Sequence, residues 1–333
     1  MKAFSISRYK KDSKLQLIDL PDPAVGENEV LVQIYAASVN LLDSKIKSGE
    51  FKLILPYKMP LILGHDVAGV VTKVGSKVKR FKAGDEIYAR AADFHIGTFA
   101  EFISVNEKDI ALKPKNLTME EAASIPLVGL TAWQALVEKS NVQSGQKVFI
   151  QAGSGGVGTF AIQLAKYLGA TVATTASEKS FELLKNLGAD VLIDYKTQNF
   201  EDILTDYDVV LNSQDSKTLE KSFSILKPGG KIISISGPPT PLFANEFNMP
   251  WYVKLAAKLL SRKVRRIADK QNSNYSFLFM KADGKQLAEI TKLIETGEIK
   301  PVIDKVFSFG NTNEAVKYVE GGHAKGKVVI KML

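Results

Sequence analysis

Hydrophobic and polar positions change their spacing twice along this chain. Over the first hundred or so residues, short apolar runs are broken by turn residues. Val30-Leu31-Val32-Gln33-Ile34 is one, Val67 to Val74 closed by Gly75-Ser76 is another, and Gly84-Asp85 opens Glu86-Ile87-Tyr88-Ala89. Such runs predict strands, and helical spacing is scarce here, so this part reads as a compact β-rich domain. The texture shifts near Asn116. Thr118-Met119-Glu120-Glu121 has the form of a capping box, in which the hydroxyl accepts from the third helical amide while the acid reaches back, and it predicts a helix-rich stretch to about residue 139. Strands at 147–151, 171–175, 191–193, 208–211 and 230–235 then alternate with helices at 157–168, 180–187 and 216–226. That order predicts βαβ units on a parallel sheet, an α/β arrangement. Strand-like runs return at 302–307 and 327–331, so the C-terminal segment is expected to rejoin the first domain. The expected division is 1–121 with 302–333, and 122–301.

Composition narrows the class without changing that picture. A chain of 333 residues with 45% hydrophobic and 24% charged residues matches an ordinary globular protein of two domains. The absence of cysteine excludes disulfides, thiolate metal ligands and thiol nucleophiles. The first residues lack the apolar core of a signal peptide, and no apolar run is long enough to span a bilayer. A soluble, cytoplasmic protein is the expectation. The net charge of +8 is partly local, since seven cations between residues 254 and 270 face only Asp269. The stretch 250–270 reads as one amphipathic helix inserted in the second domain. Val253, Ala256, Leu260, Val264 and Ile267 recur at helical spacing, and Lys254, Lys258, Arg262 and Arg265 form another stripe behind Trp251-Tyr252. It could lie on an anionic membrane, or pack over the second domain or a partner subunit with its charges in water. The packed arrangement is the preferred expectation.

Gly153-Ser154-Gly155-Gly156-Val157-Gly158 is G-x-G-x-x-G, directly between a predicted strand and a predicted helix. In that context the first glycine makes the tight turn and the second lets backbone approach a pyrophosphate. The third permits close helix–strand packing, while the helix N-terminus supplies amides and positive dipole. The loop therefore predicts a dinucleotide site. The next strand ends in Thr174-Thr175-Ala176-Ser177-Glu178-Lys179, with Thr175 where a ribose-binding acid would stand. An acid-free, hydroxyl-bearing strand end suits a 2′-phosphate, with Ser177 donating and Lys179 as counter-charge. Tyr195 is positioned to cover the adenosine. Glu178 argues loosely for NAD, but NADPH is the expected cofactor.

Several segments line up with one family. Asn40-Leu41-Leu42-Asp43-Ser44-Lys45-Ile46-Lys47-Ser48-Gly49 resembles the N-P-x-D-x-K-x-x-x-G segment of zinc-free quinone and enone reductases. Gly64-His65-Asp66-Val67-Ala68-Gly69, Gly84-Asp85-Glu86-Ile87-Tyr88, Leu130-Thr131-Ala132-Trp133, Leu226-Lys227-Pro228-Gly229-Gly230 and Gly322-His323-Ala324-Lys325-Gly326-Lys327 match in order and spacing. The chain thus resembles the quinone oxidoreductase and alkenal/enone reductase branch of the medium-chain dehydrogenase/reductase superfamily. The resemblance implies a GroES-like substrate domain, a Rossmann cofactor domain, a cleft active site and a homodimer. It also implies Thr131 near the cofactor and Asn40 and Lys45 near the nicotinamide, with Asp43 orienting Lys45 and Tyr88 as a further donor. Two departures stand out. Asn212-Ser213-Gln214-Asp215 replaces the usual D-x-V-G, and residues 238–281 exceed the family length.

Zinc members of that superfamily hold their catalytic metal through Cys and His ligands. Here Asn40 stands at the first ligand position, His65 is left beside Asp66, and no cysteine exists, so no metal is expected. The reaction expected is hydride transfer from NADPH to a conjugated carbonyl compound, a quinone first and an enone second. Delocalisation of the developing charge lets Asn40, Lys45 and Tyr88 serve as donors in place of a Lewis acid. Each has a plainer reading: Asn40 and Asp43 as turn caps, Tyr88 as a strand-face aromatic. A non-catalytic nucleotide sensor or RNA-binding protein on the same scaffold is the alternative from another class. No aromatic platform or RGG segment supports RNA recognition, so nucleic acid is not an expected partner.

Overall fold

The computed structural model describes residues 1–52 and 54–332. It divides into two compact units, Met1–Leu130 with Lys281–Leu333, and Thr131–Met280. The chain opens with strands β1 (Lys2–Ile6), β2 (Gln16–Asp19) and β3 (Glu29–Val39), then helix α1 (Leu41–Ser48). Strands β4 (Leu61–Ile62), β5 (Asp66–Val74), β6 (Glu86–Arg90), β7 (Phe102–Asn106) and β8 (Ile110–Leu112) follow. Helices α2 (Met119–Ala123) and α3 (Pro126–Trp133) lead out of the first unit. The Thr118 cap forms as expected, accepting from the Glu121 amide at 3.2 Å while the Glu121 carboxylate takes the Thr118 amide at 2.8 Å.

The second unit alternates strand and helix. Its strands are β9 (Lys147–Ile150), β10 (Thr171–Ala176), β11 (Val191–Asp194), β12 (Tyr207–Asn212), β13 (Leu226–Ser234) and β14 (Asn274–Phe277). Between them lie α4 (Gly156–Tyr167), α5 (Phe181–Asn186), α6 (Ser216–Ser222), α7 (Pro241–Glu246), α8 (Trp251–Leu260) and α9 (Arg262–Lys270). The chain then returns to the first unit with α10 (Gly284–Glu295), β15 (Ile303–Ser308), α11 (Thr312–Glu320) and β16 (Lys327–Lys331).

In the first unit β3 is the hub. Its one edge pairs with β5, while the other is shared, residues 29–33 with β7 and 36–39 with β16. Period-2 alternation buries Val30, Val32 and Ile34 against Val67, Ile87, Ile103 and Ile110. The C-terminal segment is therefore hydrogen-bonded into the first sheet. In the second unit six parallel strands run in the order β11-β10-β9-β12-β13-β14, the doubly wound order of dinucleotide-binding folds. Central strand β12 is buried along its whole length, as strands covered on both faces are. Strand order reverses between β9 and β12, where the C-terminal strand ends leave room for a ligand.

The structure departs from the sequence-based expectations in three places. The division falls at 130/131 and 280/281 rather than at 121/122 and 301/302. Helix α10 packs on β8 in the first unit, with Gly284 so close that a Cβ would lie 2.2 Å from the Ile110 carbonyl oxygen. Residues 238–281, expected only as an overlong stretch with an inserted helix, form the crossover that adds β14 to the parallel sheet. The single helix expected over 250–270 is two. Ser261 interrupts it, buried, donating to the Ala257 carbonyl at 2.6 Å and accepting from Arg265 Nε at 3.1 Å. The stripe turned inward is Ala257, Ser261, Val264 and Ala268, while Ala256 and Leu260 face outward. Of the two, α9 packs on β14, with Val264, Ala268 and Ile267 against the core of this unit.

Candidate active site

Asn40 ends β3 and caps α1, and around it the first unit gathers a buried polar cluster. Asp66, at the start of β5 and fully buried, accepts on one carboxylate oxygen from Ser38 Oγ (2.8 Å), Asn40 Nδ2 (2.9 Å) and Lys327 Nζ (3.2 Å). Its other oxygen accepts from the Leu127 amide at 2.8 Å. Lys327, at the start of β16, also donates to Asn40 Oδ1. Beside this group, Asp43 accepts from the Asn40 amide at 2.7 Å and from His65 Nδ1 at 2.6 Å. Among the described residues, His65 Nε2 is buried with no partner.

These contacts redistribute the roles expected from the sequence. Asp43 orients His65 and the start of α1, not Lys45, because both its oxygens are engaged. Asn40 is a linchpin of the cluster, with one amide N–H on Asp66 and the other held only by a stretched 3.5 Å contact to the Ser38 carbonyl. Lys45 is half-buried on α1 and has no ion pair among the described residues. Tyr88 is corrected outright. It is fully buried, and its hydroxyl donates to the Leu287 carbonyl at 2.7 Å and meets Thr291 Oγ1 at 2.9 Å. Burial raises its pKa well above the ordinary phenol value. It anchors α10 and has no hydroxyl to offer a substrate. Sequence reading missed Lys327 as a member of this group, although it lies within a segment that carries the family resemblance.

As a metal site the cluster fails on its donors. Asp43 holds His65 as an outer-shell carboxylate holds a ligating imidazole. Yet the remaining oxygens, on Asn40 and Asp66, already serve the Lys327 ammonium, and a second cation there would meet like charge. Among the described residues, no three His, Cys, Asp or Glu side chains come together to hold a metal ion. Zinc does not fit these residues.

The second unit presents the glycine loop at the switch point. Each glycine has a distinct reason. A Cβ on Gly153 would lie 2.2 Å from Thr174 Oγ1, and one on Gly158 would lie 2.5 Å from the Ala152 carbonyl oxygen. Gly155 faces open space, its nearest neighbour being that same oxygen at 3.4 Å. No side chain caps α4 and no acid stands in its first turn, so the amides around Gly156 and Val157 are left for an anion. Next to the loop, β10 delivers Ser177 and the exposed Lys179, and Thr175 Oγ1 accepts from the Ala152 amide at 3.2 Å. Tyr195 follows β11 directly, its amide reaching the Ala176 carbonyl at 3.4 Å and its ring 63% exposed. Ser154, Ser177, Lys179 and Tyr195 thus share the C-terminal edge of one sheet. Thr131 is buried on α3 at the head of this unit. On the far side of the switch point the Asn212 departure has a structural role. Asn212 Nδ2 donates to Gln151 Oε1 at 2.6 Å, and its Oδ1 accepts from Ser234 Oγ, tying β9, β12 and β13 together. Asp215 caps α6 at the Thr218 amide.

Two variants test these assignments. Lys327→Met leaves the Asp66 carboxylate buried beside no cation and should cost about 3–5 kcal/mol of unfolding free energy in denaturant titration, with much of it recovered in the Asp66→Asn/Lys327→Met pair. Tyr88→Phe should lower stability by about 1–3 kcal/mol and leave turnover near that of the parent. A collapse of turnover at unchanged stability would return Tyr88 to the chemistry.

Comparison with known proteins agrees with this fold. Residues 26–115 match the family model described as alcohol dehydrogenase GroES-like domain, and residues 187–330 match that described as zinc-binding dehydrogenase. The chain is 38% identical to 2-methylene-furan-3-one reductase of Solanum lycopersicum, over 99% of this chain and 79% of that protein. It is 36% identical to the chloroplastic NADPH-dependent alkenal/one oxidoreductase of Arabidopsis thaliana, with the same coverage. The quinone oxidoreductase of Coxiella burnetii superposes with a TM-score of 0.85 at 30% identity, over 100% of this chain and 99% of that one. With its hub-strand β domain, its doubly wound sheet and relatives of this identity along nearly its whole length, the chain belongs to the medium-chain dehydrogenase/reductase superfamily of oxidoreductases, among the quinone and alkenal/one reductases.

Proposed function

We propose that the chain is a zinc-independent, NADPH-dependent reductase of conjugated carbonyl compounds, with quinones as the first acceptor class. The observation that carries the reading is the uncapped, acid-free α4 N-terminus behind its glycine loop, next to a strand end bearing hydroxyls and Lys179. When bound, the nicotinamide cofactor supplies hydride. The loop and α4 amides hold its pyrophosphate, Ser177 and Lys179 hold the 2′-phosphate, and the exposed Tyr195 ring lies against the adenosine. Thr131 is assigned to the cofactor on the resemblance alone.

On the substrate side, reduction of a conjugated carbonyl builds negative charge that spreads onto oxygen. The Lys45 ammonium and the loosely held second amide N–H of Asn40 are the donors suited to that oxygen. Lys327 and Asp66 position Asn40 and touch no reacting atom. The proton that completes the reduction is assigned to solvent, since both carboxylates of the cluster are engaged and Lys45 serves as a hydrogen-bond donor. A second reading, reduction of the carbon–carbon double bond of an enone, is favoured by the tomato and Arabidopsis relatives, whose names specify furanone and alkenal/one substrates. A homodimer and a cytoplasmic location complete the proposal. The first rests on the resemblance and the second on the cysteine-free composition.

The test is oxidation of NADPH and NADH against a small p-quinone and a short-chain enone. Turnover with NADPH is expected, and Lys179→Ala should weaken NADPH by about 1.5–3 kcal/mol, ten- to a hundredfold, while leaving NADH unchanged. Turnover confined to the enone selects the second reading. Tight NADPH binding with neither substrate consumed would overturn both in favour of a nucleotide sensor.

A further inference from the structure

Helix α8 leaves its large apolar residues in water. Trp251 is 76% exposed, and Tyr252, Leu255 and Leu259 are 59%, 49% and 62% exposed. At 100° per residue these four fall within one narrow arc of the helix, away from Ala257, the one buried residue of α8. Leu242 on the neighbouring α7 is exposed as well, at 63%. The four on α8 make one apolar face of the kind that marks a contact surface, and it lies among cations. Residues 251–270 hold seven Lys and Arg against one Asp, so six of the chain's eight net positive charges sit in this stretch. Among the described residues, only Lys263 of these has a carboxylate partner, Glu220 at 2.5 Å. Lys254, Lys258, Arg262, Arg266 and Lys270 have none among the described residues. Leu259 and Leu260 join Arg262, Arg266 and Lys270 around an open groove of about 440 Å³.

We infer that α8 and α9 form a docking face for an anionic lipid bilayer. The two halves of the observation require each other. An exposed arc of Trp, Tyr and Leu matches the acyl boundary, and the bordering lysines and arginines match headgroup phosphates while their stems lie along apolar surface. The groove beside Leu259 and Leu260 suits one anionic headgroup. A second copy of the chain fits less well. A two-fold contact places a patch against itself, which sets these unpaired cations against one another. A nucleic acid would answer the charge and leave the leucines unanswered. No helix among the described residues is long and apolar enough to cross a membrane, so the contact is peripheral. The inference stands apart from the assignment of substrate, because it uses no residue of either candidate site.

The experiment is co-sedimentation of the full chain with vesicles of phosphatidylcholine alone, or of equimolar phosphatidylcholine and phosphatidylglycerol, with Trp251 emission followed in a Trp133→Phe background. Binding to the anionic vesicles only, released by salt and accompanied by a blue shift, is expected. Leu259→Glu, and separately the Lys258→Glu/Arg262→Glu pair, should each weaken partitioning about tenfold or more without changing NADPH oxidation in free solution. Absence of binding, or equal binding to neutral vesicles, overturns the inference. A concentration-dependent dimer that Leu259→Glu dissociates, without vesicle binding, assigns the face to a second copy. Salt-sensitive binding to polyuridylate without any to vesicles assigns it to nucleic acid.

Discussion

The carboxylate of Asp66 is the point on which the first unit's chemistry rests. It has no exposure, and four donors are turned toward it. Ser38 comes from β3, Asn40 from the start of α1, Lys327 from β16 and the Leu127 amide from α3. Four separate parts of the chain are thereby held to one atom group. The amide of Asn40 then fixes Asp43 and, through it, His65. The placement of α1, and with it Lys45, follows from that chain of contacts.

The same cluster differs from a metal site in what carries its charge. Its positive charge is carried by a lysine ammonium, bonded in place on Asn40 and Asp66. An ammonium orients and neutralises, but it does not polarise a carbonyl as a zinc ion does. Under the proposed function, substrates whose own conjugation spreads the developing charge suit such a site. The second unit works by a different principle. Its ligand edge is made mostly of backbone, through the close approaches at Gly153 and Gly158 and the uncapped amides of α4. Ser177, Lys179 and Tyr195 add side chains to that edge, and the proposed function assigns them the choice between dinucleotides.

Sequence reading recovers what depends on local pattern and loses what depends on distant partners. The alternation in β3, the Thr118 capping box and the strand–loop–helix around Gly153 are local, and all appear where the spacing puts them. The anchoring of α10 on β8 is not local, since Tyr88 meets Leu287 across nearly two hundred positions. For the same reason a tyrosine in a family-like motif reads as a substrate donor until its hydroxyl is seen turned into the core. Lys327 is equally silent, because its bond to Asn40 joins the two ends of the chain. In α8 the periodicity finds an amphipathic helix but picks the wrong stripe. The face turned inward is small and includes a serine, and the larger residues are left outside.

The central claim is hydride transfer from a nicotinamide cofactor to a conjugated carbonyl without a metal. Its most direct test is turnover of a small p-quinone by chelator-treated protein, comparing NADPH with NADPH deuterated at the transferring C4 position. Slower oxidation of the deuterated cofactor, at rates unaffected by the chelator, is the result this account predicts. A rate abolished by the chelator and restored by added zinc would contradict it.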